Sequence, residues 1–323
     1  MKLTVTASPH IRGRESTAGI MRDVLIALMP ALAVGTWVYG LRALAVTAVT
    51  TLVCLVSEWL FRVATRQHNT LPDGSAAVTG VLLAMTLPAT VPYWLAALGG
   101  VFAVVVVKGL CGGLGQNIFN PALAARAFMM LLWPAWMVRF ATLGASIPLV
   151  GSTVDVVTSA TPLHHMQMPA LPETALTDLL LGNVAGCIGE ASALALLLGG
   201  AYLVGRKVLS PRIPVAYLGS VALLTLIFSK GDDPMGWMLY SLLSGGVVLG
   251  AIFMASDYTT SPATPRGQLI YGVGCGILTV LFRYYGLFPG GVTYAILLMN
   301  AAVWAIDRYT APGRFGLAKG GAS

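Results

Sequence analysis

The stretch ALAVTAVTTLVCLVSEWLF, residues 43–61, is nearly all apolar over the length that one helix needs to cross a lipid bilayer. Similar stretches occur along most of the chain. Of its 323 residues, 57% are hydrophobic and only 10% are charged, against roughly 45–50% and 25% in soluble domains. The mean hydropathy is +0.81. A soluble domain could not bury so much apolar surface, so the sequence predicts an all-α integral membrane protein.

Hydropathy predicts about ten transmembrane helices in two groups. The first group covers 20–40, 43–61, 75–88, 94–107 and 121–137, and the second covers 184–204, 213–228, 236–254, 268–282 and 290–306. The chain also contains 37 glycines and 18 prolines. Both residues are more frequent in membrane helices than in soluble ones, because in a membrane they allow close packing and breaks in the helix. We therefore expect some of the helices to be broken.

Lysine and arginine are distributed unevenly between the two sides of the predicted helices. If both termini are cytoplasmic, the outer side of the membrane holds only Arg42, Arg139, Lys230 and Arg283. Arg126 falls within a predicted span, and all the other lysines and arginines lie on the cytoplasmic side. Cytoplasmic loops of membrane proteins carry an excess of these residues. The sequence therefore predicts this orientation, in a bacterial cytoplasmic (inner) membrane. It also attributes the net charge of +7 to topology and predicts no nucleic-acid partner.

The two groups of predicted helices resemble each other weakly. Asp73-Gly-Ser followed by Gly80-Val-Leu-Leu-Ala-Met is echoed by Asp232-Asp-Pro followed by Gly246-Val-Val-Leu-Gly-Ala. Because each group holds about five spans, an odd number, the second must run opposite to the first. Transporters with this plan have their sites near the midplane, where broken helices meet. Chance similarity between two Gly/Ala/Leu-rich segments is the alternative.

These patterns predict five parts of the chain. They are a cytoplasmic N-terminal segment (1–19), a first five-helix repeat (20–138), an extracytoplasmic loop (139–176), a second five-helix repeat (177–307) and a cytoplasmic tail (308–323).

The predicted outer loop contains Asp155-Val-Val-Thr-Ser-Ala-Thr161. This segment resembles the flavinylation motif Asp-x-x-Ser/Thr-Gly/Ser-Ala-Thr of membrane subunits in Rnf complexes and in Na⁺-translocating NADH:quinone oxidoreductases. In that family a separate flavin transferase joins the phosphate of FMN to the last threonine. The resemblance therefore implies covalent FMN on Thr161. A Thr-Ser-Ala-Thr run by itself is more often an ordinary polar turn.

A second segment, Gly112-Gly-Leu-Gly-Gln-Asn-Ile-Phe-Asn-Pro-Ala122, is similar to the Gly-x-Asn-x-x-Asn-Pro-Ala segment of the same family. There it is associated with a non-covalent riboflavin, whose uracil-like edge suits paired donors and acceptors from amides. The resemblance implies that Asn117 and Asn120 bind riboflavin. The alternative is that both asparagines only cap the following helix.

Further matches occur in family order at Ser8-Pro-His, Gly186-Cys-Ile-Gly-Glu190 and Phe253-Met-Ala-Ser-Asp257. The length fits the Rnf D protein better than the larger NqrB protein. The resemblance implies a subunit, not catalytic alone, of a complex that couples electron transfer between ferredoxin and NAD⁺ to Na⁺ or H⁺ translocation. Its implied partners are the A and E membrane subunits, the outer FMN-bearing G subunit and the cytoplasmic B and C subunits.

Acidic residues inside or beside membrane spans are candidates for an ion pathway, because a charge in lipid is costly. Asp73, Glu190 and Asp257 are such residues. Local ion pairs or helix caps are the alternative for each. The four cysteines and four histidines have no spacing typical of a metal site, and no Gly-x-Gly-x-x-Gly follows a strand, so we predict neither a metal site nor NAD binding here.

Two other functions remain compatible with the predicted fold. One is a secondary transporter or channel with the same inverted repeat. The other is an NqrB-like subunit that reduces quinone, although the longer amino-terminal region of those subunits is missing here. An acceptor threonine for FMN on the outer side distinguishes the electron carrier from the solute transporter.

Overall fold

The computed structural model describes residues 16–68, 70–111, 113, 115–142, 147–149, 158–159, 171, 174–286 and 290–311, with only the backbone of 158–159. Helices dominate this part of the chain. Its strands are β1 (Phe140–Ala141) and β2 (Thr158–Ser159), which pair antiparallel. The predicted motif residue Thr161 lies outside the described residues.

The first group of predicted spans corresponds to six helices. They are α1 (Thr17–Tyr39), α2 (Leu41–Ala64), α3 (Ser75–Met85), α4 (Tyr93–Val101), α5 (Pro121–Leu132) and α6 (Pro134–Met137). A π-helical segment, Phe102–Gly109, continues α4, and a short 3₁₀ turn, Leu71–Asp73, precedes α3.

In the described residues, the second half of the chain contains seven helices, the first of which precedes the predicted span 184–204. They are α7 (Leu176–Leu181), α8 (Ala193–Gly205), α9 (Arg212–Ile227), α10 (Pro234–Leu243), α11 (Val247–Leu249), α12 (Pro265–Tyr285) and α13 (Val292–Thr310). A π-helical segment, Gly250–Met254, continues α11, and a 3₁₀ turn, Ile188–Glu190, precedes α8.

Several helices begin where a short polar residue precedes proline. Asn120, Asp233 and Thr264 each accept backbone N–H groups of the next turn through the side chain, and each is followed by proline at the first helical position. Proline fits there because that residue needs no N–H for the helix, and the polar cap satisfies the donors left free at the helix start. These pairs fix the starts of α5, α10 and α12.

Several predicted spans differ from the helices at their ends or within. Helix α3 ends at Met85, not at residue 88, and α8 begins only at Ala193. The predicted span 121–137 is divided between α5 and α6 at Trp133, because Pro134 restricts the residue before it and lacks an N–H.

The span predicted at 236–254 is broken, as expected for one of the glycine-rich helices. Helices α10 and α11 are bent by 60°. Between them Gly245 and Gly246 have φ values of 69° and 68°, a left-handed conformation that favours glycine. Arg283 of α12 donates to the carbonyl oxygens of Ser241, Ser244 (2.8 Å) and Gly245 (3.4 Å), at the end of α10 where the helical ladder stops.

The helices pack in corresponding pairs within and between the two groups. In the first group α2 packs on α3 and α4, and in the second α9 packs on α10 and α12. Across the groups α1 packs on α8, and α5 packs on α13. The α1–α8 contact is so close that a Cβ atom on Gly199 would overlap the carbonyl oxygen of Ala27. Small residues allow membrane helices to approach in this way.

The outer faces of the helices are apolar. On α2, Leu52, Val56, Leu60 and Val63 recur at helical spacing and are each at least half exposed. A continuous apolar face of this kind must be covered by lipid or by a partner protein. By length and composition, α1 and α2 are long and apolar enough to cross a membrane, and the bent pair α10–α11 is a third candidate in the described part. The chain is thus a helical membrane protein, and crossing about ten times stays a prediction.

Candidate functional site

A cavity of about 90 Å³ lies where both groups of helices meet. Its wall combines α1, α3 and the start of α5 with Leu203 of α8 and the chain from Ile252 to Thr259. It is lined by both predicted flavin-binding asparagines, Asn117 and Asn120, and by Asp257. We call it the Asn117 cavity. The structure thus brings three of the predicted site residues together.

Asn117 is buried, and its amide oxygen has no hydrogen-bond partner among the described residues. A buried polar atom without a partner costs about 1–3 kcal/mol, so native proteins rarely leave one. Because this oxygen belongs to a side chain in the cavity wall, a ligand with an N–H or O–H group is a suitable partner for it.

Asn120 has a different environment. Its amide oxygen accepts the backbone N–H groups of Ala122 (3.1 Å) and Leu123 (3.3 Å), and its amide nitrogen donates to the carbonyl oxygen of Met254 (3.3 Å). The side chain therefore caps α5 and ties it to the π-helical segment of the second group. Only one amide hydrogen remains for a ligand, so its role in riboflavin binding stays a prediction.

Asp257 contributes a carboxyl group to the same wall. Thr259 donates to it through both its backbone nitrogen (3.2 Å) and its hydroxyl group (2.9 Å). Burial raises the pKa of Asp257, while the two hydrogen bonds from Thr259 act in the opposite direction. Burial thus favours the neutral acid, which costs less than a charge in a low-dielectric wall.

A buried ion pair borders the Asn117 cavity. The Lys108 ammonium group lies 2.7 Å from Glu58 Oε1 and donates to Ser75 Oγ at 2.6 Å, and the side chains of the ion pair are both 2% exposed. Ser75 and Lys108 line the cavity. The Ser75 hydroxyl group in turn donates to Asp73, which lies outside the cavity lining and accepts from Ser75 N at 2.8 Å. Asp73 thus connects to the cavity through Ser75.

Glu190 lies in a second, smaller cavity of about 20 Å³. Its wall includes Arg126, Thr86 at the end of α3, and Gly245 and Gly246 at the break before α11. Arg126 donates to the Thr86 carbonyl oxygen. The guanidinium group and the Glu190 carboxylate therefore face one space, and a positive charge there opposes the binding of a second cation. Whether Glu190 serves an ion pathway stays a prediction.

Hydrogen bonds from the helices hold parts of the predicted outer loop. Arg42, which is buried, donates to the carbonyl oxygens of Pro148 (3.1 Å) and Leu149 (2.9 Å), and its guanidinium group lies 3.9 Å from the ring centre of Tyr93. The pairing of β1 with β2 ends at Ser159, shortly before Thr161 in sequence. The segment that leads to Thr161 is therefore paired with the strand that follows α6.

Sequence reasoning did not identify three residues as site residues: Glu58, Lys108 and Arg126. Glu58 lies within the predicted span 43–61, so the rule that intramembrane acids are functional candidates would have included it. Lys108 and Arg126 entered only as charges that indicate topology. Their partners, Glu58 and the Thr86 carbonyl, are distant in sequence, and only the fold brings each pair together.

Comparisons with known proteins agree with the resemblance seen in the motifs. Residues 4–316 match the model of the NQR2, RnfD, RnfE family. A relative from Acetobacterium woodii, the D subunit of the Na⁺-translocating ferredoxin:NAD⁺ oxidoreductase complex, is 47% identical over 99% of this chain and 97% of its own length.

Two other relatives carry related names. The D subunit of the proton-translocating ferredoxin:NAD⁺ oxidoreductase complex of Clostridium ljungdahlii is 40% identical over 97% of this chain and 96% of its own length. The D subunit of the ion-translocating oxidoreductase complex of Halorhodospira halophila is 38% identical over 98% and 97%. With matches of this extent, the chain belongs to the NQR2, RnfD, RnfE family.

Proposed function

We propose that this chain is the D subunit of an ion-translocating ferredoxin:NAD⁺ oxidoreductase complex and relays electrons through the membrane. The full-length relatives with that name support the proposal. Ferredoxin and NAD⁺ would bind to other subunits, so this chain is not catalytic alone. Its partners would be the A and E membrane subunits, the outer G subunit, which carries FMN, and the cytoplasmic B and C subunits.

The Asn117 cavity is the proposed site of riboflavin. The unpartnered amide oxygen of Asn117 is the observation that carries this proposal, because the uracil-like edge of a flavin offers an N–H group between two carbonyl groups. The third N–H of Lys108 and one amide hydrogen of Asn120 are donors in the wall that suit those carbonyl groups. A bound flavin would supply one- and two-electron transfer.

Riboflavin content tests this site directly. We expect the purified wild-type protein to release riboflavin on acid extraction, measured by chromatography, and Asn117→Leu to lose most of it. Asn183→Leu, which replaces an exposed asparagine, is the matched control and should retain it. Equal riboflavin in both variants, or none in the wild type, would contradict the proposal.

Covalent FMN on Thr161 is the second part of the proposed relay. The motif Asp155-Val-Val-Thr-Ser-Ala-Thr161 supports it, together with the pairing of β2, the segment before Thr161, with β1. A threonine hydroxyl group can form a phosphoester, and the small neighbours Ser159 and Ala160 leave room for a flavin transferase to approach.

In-gel fluorescence of the denatured protein tests the attachment. The chain is co-expressed with an active flavin transferase, and wild type is compared with Thr161→Val and with Thr153→Val, a nearby threonine outside the motif that serves as control. We expect fluorescence in the wild type and the control and none in Thr161→Val. A dark wild-type band would remove the FMN part of the proposal and favour a transporter.

The proposed architecture is two inverted five-helix repeats that cross the bacterial inner membrane about ten times, with both termini cytoplasmic. The corresponding packing of α2 on α3 and α4 and of α9 on α10 and α12 supports it. So do the α1–α8 and α5–α13 contacts between the groups, as a two-fold axis would generate. Thiol labelling of intact cells tests the orientation: Lys230→Cys should react with an impermeant reagent and Lys207→Cys should not.

An ion pathway past Asp257, Asp73 and Glu190 is the remaining proposal. Asp257 lines the Asn117 cavity, and Ser75, which also lines it, donates to Asp73. These positions support a path that begins beside the flavin site. We expect Asp257→Asn, in the complete complex reconstituted in vesicles, to reduce ion uptake more than electron transfer. A parallel loss of both would instead assign Asp257 to the flavin site.

A further inference from the structure

Lys108 is a buried cation in the wall of the Asn117 cavity. It lies in the π-helical segment Phe102–Gly109, and its ammonium group is held by Glu58 Oε1 (2.7 Å) and Ser75 Oγ (2.6 Å). An ammonium group has three N–H donors, so these two bonds leave one. Segments of π-helix occur frequently at functional sites. The residue is thus a buried charge in the wall of the Asn117 cavity.

Glu58 lies behind Lys108 and is absent from the described residues that line the cavity. Its Oε1 atom accepts from Lys108 and from Thr70 Oγ1 (2.7 Å), whereas its Oε2 atom is buried without a partner in the described part of the chain. The carboxylate therefore partly neutralises Lys108 from the far side. A ligand in the cavity meets the positive member of the ion pair first.

Besides Lys108, the ionisable groups in the described cavity wall are the phenol of Tyr258 and the carboxyl group of Asp257. Two hydrogen bonds from Thr259 occupy its carboxyl group, and burial raises its pKa, which favours the neutral acid. Only the ionised form of Asp257 offsets Lys108, and the raised pKa disfavours that form. Lys108 is the positive charge that the described part of the cavity wall presents to a ligand.

We infer that Lys108 sets the reduction potential of the flavin proposed for the Asn117 cavity, with Glu58 limiting its effect. The inference rests on the proposed function. Reduction adds electrons and makes a flavin more negative, so a nearby positive charge in a low-dielectric wall stabilises the reduced form more than the oxidised form. Lys108 thereby raises the potential, and Glu58 lowers it through partial neutralisation. The pair acts as one unit with two opposing charges.

The experiment is a spectroelectrochemical titration of riboflavin in the purified full-length protein. All variants are made in a Thr161→Val background, which removes covalent FMN so that riboflavin is the absorbing group. Lys108→Met and Glu58→Gln replace each charge by a neutral side chain of similar size. Arg206→Met is the matched control, because it also removes one positive charge from an ion pair, but its side chain is 56% exposed and screened by water.

We expect Lys108→Met to weaken the binding of reduced relative to oxidised riboflavin on the order of tenfold, which lowers a two-electron potential by about 30 mV. Glu58→Gln should shift the potential in the opposite direction, and Arg206→Met should leave it within error. A role of Lys108 in folding alone would not produce shifts of opposite sign. Shifts of the same sign, or none, in variants that retain riboflavin would overturn the inference.

A double variant covers the case in which a single substitution prevents folding. Lys108→Met with Glu58→Gln leaves no uncompensated charge, and neutral replacements of a buried ion pair are generally tolerated. Because Lys108 is nearer to the cavity, we expect the double variant to lower the potential, but less than Lys108→Met would. An unchanged or higher potential overturns the inference. Absence of riboflavin from the wild type would instead refute the proposed function.

Discussion

Lys108 and Arg283 are buried cations at the ends of corresponding predicted spans, yet the two groups of helices stabilise them differently. Lys108 pairs with the Glu58 carboxylate, whereas Arg283 is held by the carbonyl oxygens of the α10–α11 break and has no ion pair among the described residues. Helix α9, which corresponds to α2, contains no acidic residue.

This comparison separates two uses of a buried charge. Arg283 satisfies backbone groups that a broken helix exposes, so its role is explained by the fold. Lys108 satisfies no helix end through its side chain, and its charge borders a cavity. Where a buried charge is balanced by a distant acid and not by the backbone, its function is better sought in what binds beside it.

The largest expected effect comes from breaking the Lys108 pair. Lys108→Met leaves Glu58 buried without a counter-charge, and removing one partner of a buried pair costs about 3–5 kcal/mol. The free energy of unfolding, measured by SDS titration in mixed micelles, should fall by that amount. The double variant with Glu58→Gln should recover most of the loss. Failure to recover would show that packing, not charge, makes Lys108 important for stability.

Arg283→Met should have a smaller effect and no comparable rescue by an acid. It removes the guanidinium donor from the carbonyl oxygens of Ser241, Ser244 and Gly245 but leaves no opposite charge behind. Since an unsatisfied buried polar group costs about 1–3 kcal/mol, we expect a loss of about 2–3 kcal/mol in the same titration. Arg283→Lys, which keeps the charge but not the planar fork, should recover only part. Full recovery would contradict a role in capping.

Gly246→Ala tests the break that Arg283 caps. Its φ of 68° disfavours a side chain, and a Cβ atom would lie 2.7 Å from Glu190 Oε1. We expect a loss of about 1–2 kcal/mol. Gly205→Ala is the matched control, because nothing lies within 4 Å of the added atom. An equal loss in both variants would mean that the break does not require the left-handed conformation.

The smallest expected effect compares the caps of α5 and α10. Asn120→Ala and Asp233→Ala each remove a side chain that accepts two backbone N–H groups, which costs about 1 kcal/mol. Asn120→Ala should cost somewhat more, because it also removes the hydrogen bond to Met254. Thermal unfolding followed by intrinsic fluorescence measures both. A larger effect for Asp233→Ala would contradict the importance of that link between the two groups.

The starts of these helices were predictable because a polar residue before proline is a local signal. The ends of α3 and α5 were less so, because apolar residues continue past Met85 and Leu132 and hydropathy cannot distinguish helix from extended chain there. The break in α10–α11 was expected only in general terms. Its position depends on two adjacent glycines and on Arg283 from another helix.

The candidate site was predictable where a motif marked it. The segment around Asn117 and Asn120 indicated the residues of this cavity, and Pro121 marks Asn120 as a cap, but no local pattern shows that the amide oxygen of Asn117 lacks a partner among the described residues. Its lack of a partner depends on where the chain folds back. Likewise Glu58 and Lys108 are separated by 50 positions, so their pairing follows from packing of α2 on the π-helical segment.

The contact between Gly199 and Ala27 gives position 199 an influence over a distant volume. Helix α1 supplies Ile20, Met21 and Val24 to the Asn117 cavity, and α8 supplies Leu203. Any side chain at position 199 has to push these helices apart. The distance between the cavity walls therefore depends on the absence of a methyl group at position 199. Adding that methyl group would change the shape of the cavity without altering any residue that contacts a ligand.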